Sequence, residues 1–266
     1  MNNILPKVLI NIADDLSEKK AISGEELIWV IDREVKRLSE ANLRNLEELI
    51  GEDVRQKIFN TITGAERISV FAPDMHVKLN HLGERFYSPP THRYKPDELE
   101  KAFKRLVNLR FANIAKKIED ILYEMLQKSD YLISDVRSQV PGICKSIQAV
   151  KNDNKILLFI FPSIIFLAES LPKLNKIKAK HIIVVPSEKS PAPFVSFIRE
   201  NMDQVEKNNE MMIWVVNPEQ KTISPLVGPP KDKEFWKYLQ DPEKNLQAAQ
   251  IWSKGTVRSR VLDDNS

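Results

Sequence analysis

Cysteine is almost absent from this chain: Cys144 is the only one among 266 residues. One thiol excludes an intrachain disulfide framework and any zinc site built from several thiolates, and it suits a reducing compartment, so a cytoplasmic location is expected. Glycine is scarce as well. The seven present fall well below the usual ~7% of residues, and neither G-x-G-x-x-G nor G-x-x-x-x-G-K-[ST] occurs, so a phosphate-cradling glycine loop is not expected. Long apolar runs are also missing. Nothing approaches the ~18 uncharged residues of a membrane span, and Asp14 and Asp15 directly follow the first apolar residues, which is wrong for a signal peptide. Nor does one sign of charge dominate: 40 basic and 37 acidic side chains leave a net +3, too little for a global field that gathers nucleic acid. What is present, 42% hydrophobic and 29% charged residues, is the composition of an ordinary globular protein with enough chain for one large domain or two modest ones.

The most informative pattern is a repetition. "KILLFIF" (155–161) ends at Pro162–Ser163, "KHIIVV" (180–185) at Pro186–Ser187, and "MMIWVV" (211–216) at Asn217–Pro218. Runs that are apolar throughout suit strands of a parallel sheet buried on both faces. Proline has no N–H with which to extend a central ladder, so it falls where a strand stops, and a neighbouring serine can cap the helix that follows. With the helical segments between the runs, the pattern predicts a β-α-β-α-β series. The expected fold class is α/β, with a Rossmann-like parallel sheet of three or more strands in the C-terminal half. "TISPLVG" would follow as a short edge strand.

Ahead of the sheet, residues 1–64 read as helical. Ser23 and Glu26 form a capping-box pattern, Leu27, Ile31, Val35 and Leu38 recur at helical spacing, and Gly51 and Gly64 stand where helices would stop. Residues 96–128 predict one long helix, opening on Pro96 with acidic residues in its first turn, and Leu99, Phe103, Leu106, Phe111, Ile114, Ile118, Ile121 and Met125 mark its apolar face. That face would serve as a structural spine or a homo-oligomer interface. Ile68, Val70 and Phe71 read as a short strand leaving through Pro73, residues 80–95 as a loop, and the segment after Pro141–Gly142 as a short helix. The organisation expected is a helical region at 1–64, an α/β domain at 65–240, and a polar helix and tail at 241–266.

Ligands of open α/β sheets sit beyond the carboxyl ends of the strands. The candidate ligand-binding residues there are Asp74, Ser163, Ser187, Lys189, Ser190 and Asn217. "PSEKS" (186–190) places two hydroxyls and an ammonium just before a helix N-terminus, an arrangement that suits an anion, although Pro-Ser turns also serve simply to turn and cap. His76 and Lys78 form an H-x-K pair, similar to the opening of the H-x-K-x-x-x-x-D motif of the phospholipase D superfamily. Gly83 occupies the aspartate position and no second copy exists, so nuclease or lipase chemistry of that kind is not implied. Pro73–Asp74 matches the start of a P-D…E-x-K nuclease core, yet the runs "KILLFIF" and "KHIIVV" carry no carboxylate.

His76, His81 and His92 with Asp74 or Glu84 have the chemistry of a metal site but not a recognisable spacing, and loop histidines are more often surface residues. No metal and no cofactor is expected. Cys144 with His92 or His181 could form a nucleophilic pair, although a lone cysteine in an apolar helix is usually a small core residue. The cations of the long helix, Lys101, Lys104, Arg105, Arg110, Lys116 and Lys117, are interleaved with acids and read as a solvated face. Lys254, Arg258 and Arg260 near Trp252 could grip nucleic acid.

The absence of an acid/base pair, a nucleophile constellation or metal spacing favours a binder over an enzyme. The expectation is a cytoplasmic ligand-sensing, regulatory or adaptor protein that takes a small anionic, phosphate- or nucleotide-like ligand at the strand ends. Two alternatives stand beside it: a hydrolase or nuclease centred on Asp74, His76 and Lys78, and a nucleic-acid-associated protein using the long helix and the tail.

Overall fold

The computed structural model describes residues 4–90, 96–152 and 154–227. The chain divides into two compact units, Met1–Leu106 and Val107–Ser266.

The first unit is built on helices α1 (Ile4–Leu16), α2 (Gly24–Lys36), α3 (Glu40–Ile50) and α4 (Val54–Ile62). Each of α2, α3 and α4 starts where a side-chain oxygen meets an otherwise orphaned N–H. Ser23 Oγ accepts from Glu26, Ser39 Oγ from Asn42, and Asp53 Oδ1 from Gln56. Only half of the expected capping box forms, because the Glu26 carboxylate turns instead to Lys19 and Arg105, at 3.1 and 3.0 Å. Leu9, Ile12, Leu27, Ile31, Ile58 and Ile62 make the core of this unit.

A short antiparallel sheet completes it, in the order β1 (Ile22–Ser23), β3 (Glu84–Ser88), β2 (Val77–His81). The loop expected over 80–95 is therefore in large part a hairpin. Its turn is Leu82–Gly83, both at positive φ (50° and 81°), the conformation that matches strand twist in a two-residue connection. Leucine is a poor signal for such a turn, which is why the hairpin is hidden in the sequence. The strand expected at 68–71 does not form. Val70 and Phe71 are 81% and 58% exposed, and the segment joins no ladder.

Helix α5 (Pro96–Lys128) covers the residues anticipated for it. Leu99, Phe103 and Leu106 are buried in the first unit and Phe111, Ile118 and Ile121 in the second, so these residues of the stripe, read as a structural spine or a homo-oligomer interface, are covered by the chain itself. On its polar side Lys101 pairs with Glu98, Lys104 with Glu100, and Lys116 with Asp120, the i,i+3 and i,i+4 spacing of a solvated helix face.

The second unit holds a six-stranded mixed sheet in the order β4 (Leu132–Asp135), β5 (Lys145–Lys151), β6 (Asn154–Ile160), β7 (His181–Pro186), β8 (Met211–Asn217), β9 (Thr222–Val227). The three apolar runs are its central strands, β6–β7 and β7–β8 pairing parallel. The outer pairings are antiparallel, so the sheet is mixed and not purely parallel. The helix expected after Gly142 is strand β5: Ile147 and Ala149 are buried at period two, and ladders on both sides outweigh the local helical pattern.

Continuous apolar runs are explained by burial on both faces. Phe159, Ile183, Val185, Ile213 and Val215 pack with helices α6 (Leu167–Leu174) and α7 (Ala192–Glu206), while the alternate residues Leu158, Ile160, Ile182, Val184 and Val216 pack with Ile118, Leu122 and Leu126 of α5. No helix of the described residues is long and apolar enough to cross a membrane.

Candidate functional site

The carboxyl ends of β6, β7 and β8 lie on one rim. Pro162 stands abreast of Pro186 when the β6–β7 register is extended, and Pro218 lies two residues beyond the position opposite Pro186. Several of the polar groups there are consumed locally. Ser163, fully buried, caps the 3-10 turn Ile164–Phe166 by accepting from the Ile165 N–H at 3.5 Å. The Ser187 N–H donates to Val216 O at 2.8 Å and extends the ladder. Asn217 Oδ1 accepts from the N–H groups of both Glu219 and Gln220 at 3.0 Å, closing an Asx turn.

Helix α7 presents a poor anion site at its start. Pro191 and Pro193 have no N–H, the Ala192 N–H is accepted by Ser190 Oγ at 3.1 Å, and that of Val195 by Pro191 O at 3.0 Å. Lys189 is exposed. Asp74 is not at a strand end at all: with 68–71 excluded from the sheets, it sits in the loop between α4 and β2 of the first unit.

That loop frames a concave place. Helix α4 ends at Ile62 and is capped by Thr63, Gly64 follows with φ at +76°, and the chain turns through residues 65–74 before entering β2. A cleft of about 740 Å³ opens there, lined by Thr61, Arg67, Val70, Asp74, His76 and Lys78 among others, a size that suits a small-molecule ligand. The loop is anchored on the unit's core by Ile68 and Ala72, by the buried Met75, and by the Met75 N–H, which donates to Ile62 O at 3.0 Å. Gly64 permits the close approach of His76: a Cβ at this position would lie 2.7 Å from the His76 Cβ.

His76 is also fixed by Asp74, whose carboxylate contacts Nδ1. An ionised carboxylate only accepts, so this contact puts a proton on Nδ1 and turns Nε2 away from Asp74. Arg67 and Lys78 have no ion-pair partner among the described residues, whereas the Thr61 and Thr63 hydroxyls donate back to Lys57 O and Phe59 O at 2.7 and 2.9 Å. The sequence marks Asp74, His76 and Lys78 as motif fragments and as the centre of the hydrolase alternative, with Asp74 also among the candidate ligand-binding residues. Arg67, Val70 and Gly64 had no signal of their own beyond the glycine at a helix stop.

The remaining candidates separate. His81 lies at the far end of β2 from His76, packed against Phe86 and Phe103, with Nε2 at 3.8 Å from Glu100, too long for a hydrogen bond. Burial holds its pKa below the ordinary value despite Glu100. His92 and the tail residues Trp252, Lys254, Arg258 and Arg260 lie outside the described residues. Among the described residues no group of three or more His, Cys, Asp or Glu could hold a metal ion.

Cys144 is exposed and precedes β5 instead of lying in a helix, and partial desolvation raises its thiol pKa, the wrong direction for a nucleophile. It is next to Ile160 at one end of β6, while His181 is opposite Leu157 near the other. His181 is fully buried, donates Nδ1–H to Ala179 O at 2.8 Å, and has its pKa lowered by burial. One polar cluster had no sequence signal. Lys145 reaches Glu119 at 2.9 Å and Asp135 at 3.5 Å, and Tyr123 donates to Asp135 at 2.8 Å. The hydrogen bond to Glu119, then that to Tyr123, raises the Lys145 pKa. An ammonium held charged in this way is no nucleophile, and the cluster ties α5 to β4 and β5.

Residues 110–241 match a family model described as "Domain of unknown function (DUF6834), C-terminal domain". The match begins inside α5 and takes in the whole six-stranded sheet, and it does not reach the cleft of the first unit. No curated protein matches the chain.

Proposed function

We propose that this protein is a ligand-sensing module that takes a small anionic molecule, and that the cleft between α4 and β2 holds it. The observation that carries this reading is the pair Arg67 and Lys78, two cations without ion-pair partners among the described residues, facing one cleft beside an oriented imidazole. Their charges equal those of Glu66 and Asp74, the acids of the same lining, and this balance favours one phosphate group over a polyphosphate chain. The ligand is thereby moved from the sheet rim, where the Ser163, Ser190 and Asn217 oxygens already serve backbone N–H groups, to the first unit. Calorimetric titration with inorganic phosphate and ribose 5-phosphate tests it. Binding should be saturable, weaken with added salt, and be lost in Arg67→Ala/Lys78→Ala. Binding unchanged in that variant would remove the cleft from consideration.

A second reading, hydrolysis of a phosphate ester, is favoured by the Asp74–His76 contact and by the close fit of His76 on Gly64. His76 Nε2 would take a proton from a water whose oxygen attacks phosphorus. The P–O bond to the leaving alkoxide would break as Lys78 protonates it, and solvent would restore both groups. Turnover of bis(p-nitrophenyl) phosphate that falls at least 100-fold in Asp74→Asn would support it. No turnover by the unaltered protein would retire it.

A further inference from the structure

We infer that the ligand of this cleft is a nucleotide, its phosphate meeting Arg67 and Lys78 and its base covering the exposed Val70–Phe71 pair; this rests on the proposed reading of the cleft. Val70 lines the cleft and is 81% exposed, and Phe71, next to it, is 58% exposed. Two consecutive large apolar side chains in water would be unremarkable on a fraying loop, but this segment is built. Ile68 and Ala72 pack on the core to either side, and Ser69 Oγ accepts the Phe71 N–H at 3.2 Å. The turn therefore holds its flanking residues inward, presents Val70 at the wall of the cleft and leaves Phe71 exposed beside it, next to two cations that have no ion-pair partner among the described residues.

A ligand that uses both features has an anionic group joined to a flat apolar face. A nucleobase supplies that face, because any base can stack on an aromatic ring. A bare phosphate or sugar phosphate leaves the apolar pair in water. A lipid surface is disfavoured by charge, since the basic and acidic residues of Met1–Leu106 balance almost one for one, whereas peripheral membrane contacts draw on a basic excess.

The test is calorimetric titration of the full chain with AMP, ribose 5-phosphate and inorganic phosphate, repeated on Phe71→Ala and Phe71→Trp. AMP should bind about fivefold or more tighter than ribose 5-phosphate. Phe71→Ala should bring that ratio close to one without weakening ribose 5-phosphate, and Phe71→Trp should keep the preference. Phe71 is largely exposed, so these variants should fold. Equal affinity for AMP and ribose 5-phosphate in the unaltered protein overturns the nucleotide inference while leaving the anion site standing, and a preference for AMP that survives Phe71→Ala overturns the role of the Val70–Phe71 turn. If none of the three molecules binds, the proposed cleft itself fails and takes the inference with it.

Discussion

The two units treat polar groups at the ends of their elements in opposite ways. On the sheet rim of the second unit, Ser163, Ser190 and Asn217 all spend their side-chain oxygens on N–H groups two or three residues along the chain. In the first unit, the loop between α4 and β2 is secured through its backbone and its buried Met75, Ile68 and Ala72. Among the described residues, its Arg67, Lys78 and the outer nitrogen of His76 are left over. A serine beside a proline at a strand end looks like a ligand site in sequence, yet the same chemistry is what a strand-to-helix turn needs for itself. Polar side chains become available for binding where something else does the structural work.

The largest way to separate the units is through their cores. Ile183→Ala removes a fully buried side chain from the middle of β7 and should cost about 2–5 kcal/mol in urea unfolding. Phosphate binding in the cleft should survive wherever the protein remains folded. Loss of binding at full folding would show that the division of labour is false.

Gly64→Ala tests the cleft from the backbone side. It forces a side chain into φ +76° and against the His76 Cβ at 2.7 Å, and should destabilise the protein by about 1–2 kcal/mol from the left-handed conformation alone. Displacement of His76 should weaken binding beyond what the stability loss explains. A Gly64→Ala protein of unaltered stability and affinity would refute the close-approach argument.

A smaller contrast comes from two polar residues. Ser163→Ala, which deletes a cap, should lower stability by about 0.5–2 kcal/mol and leave phosphate binding alone. Arg67→Ala should do the reverse, with stability changed by less than about 0.5 kcal/mol and affinity reduced. An exchange of these two outcomes would return the ligand to the sheet rim.

Acid provides the finest comparison, because each unit has a histidine whose pKa burial lowers, His81 and His181. Both are held neutral in the fold, so as pH falls below the ordinary value near ~6.5 the unfolded chain takes up protons that the folded chain refuses. Stability is intact above that pH and declines as pH drops toward the lowered folded-state values. Urea midpoints at pH 7.5 and 5.5 should show the decline. His81→Gln and His181→Gln should each flatten it, whatever they do to absolute stability, and an unaltered pH dependence in both would remove the buried histidines as its cause.

Much of the second unit was legible. The apolar runs, their proline stops and the long helix at 96–128 announce themselves because burial on both faces, or along one stripe, demands an unbroken pattern. Strand β5 was not, since "KSIQAVK" is ambiguous until β4 and β6 flank it. Nor was the hairpin at Val77–Ser88, where Leu82 takes a conformation usually left to glycine or asparagine. Of the candidate cleft, Asp74, His76 and Lys78 stood out as motif fragments. Arg67 and Val70 did not, because an arginine and a valine in an aperiodic loop carry no spacing signal.

By itself, then, the order of residues determined which segments had to be buried strands and helices, through periodicity and through the places where proline cannot donate. Only the tertiary structure decided which polar groups were already satisfied. That depends on what each oxygen and nitrogen finds within about 3 Å, and spacing along the chain does not record it.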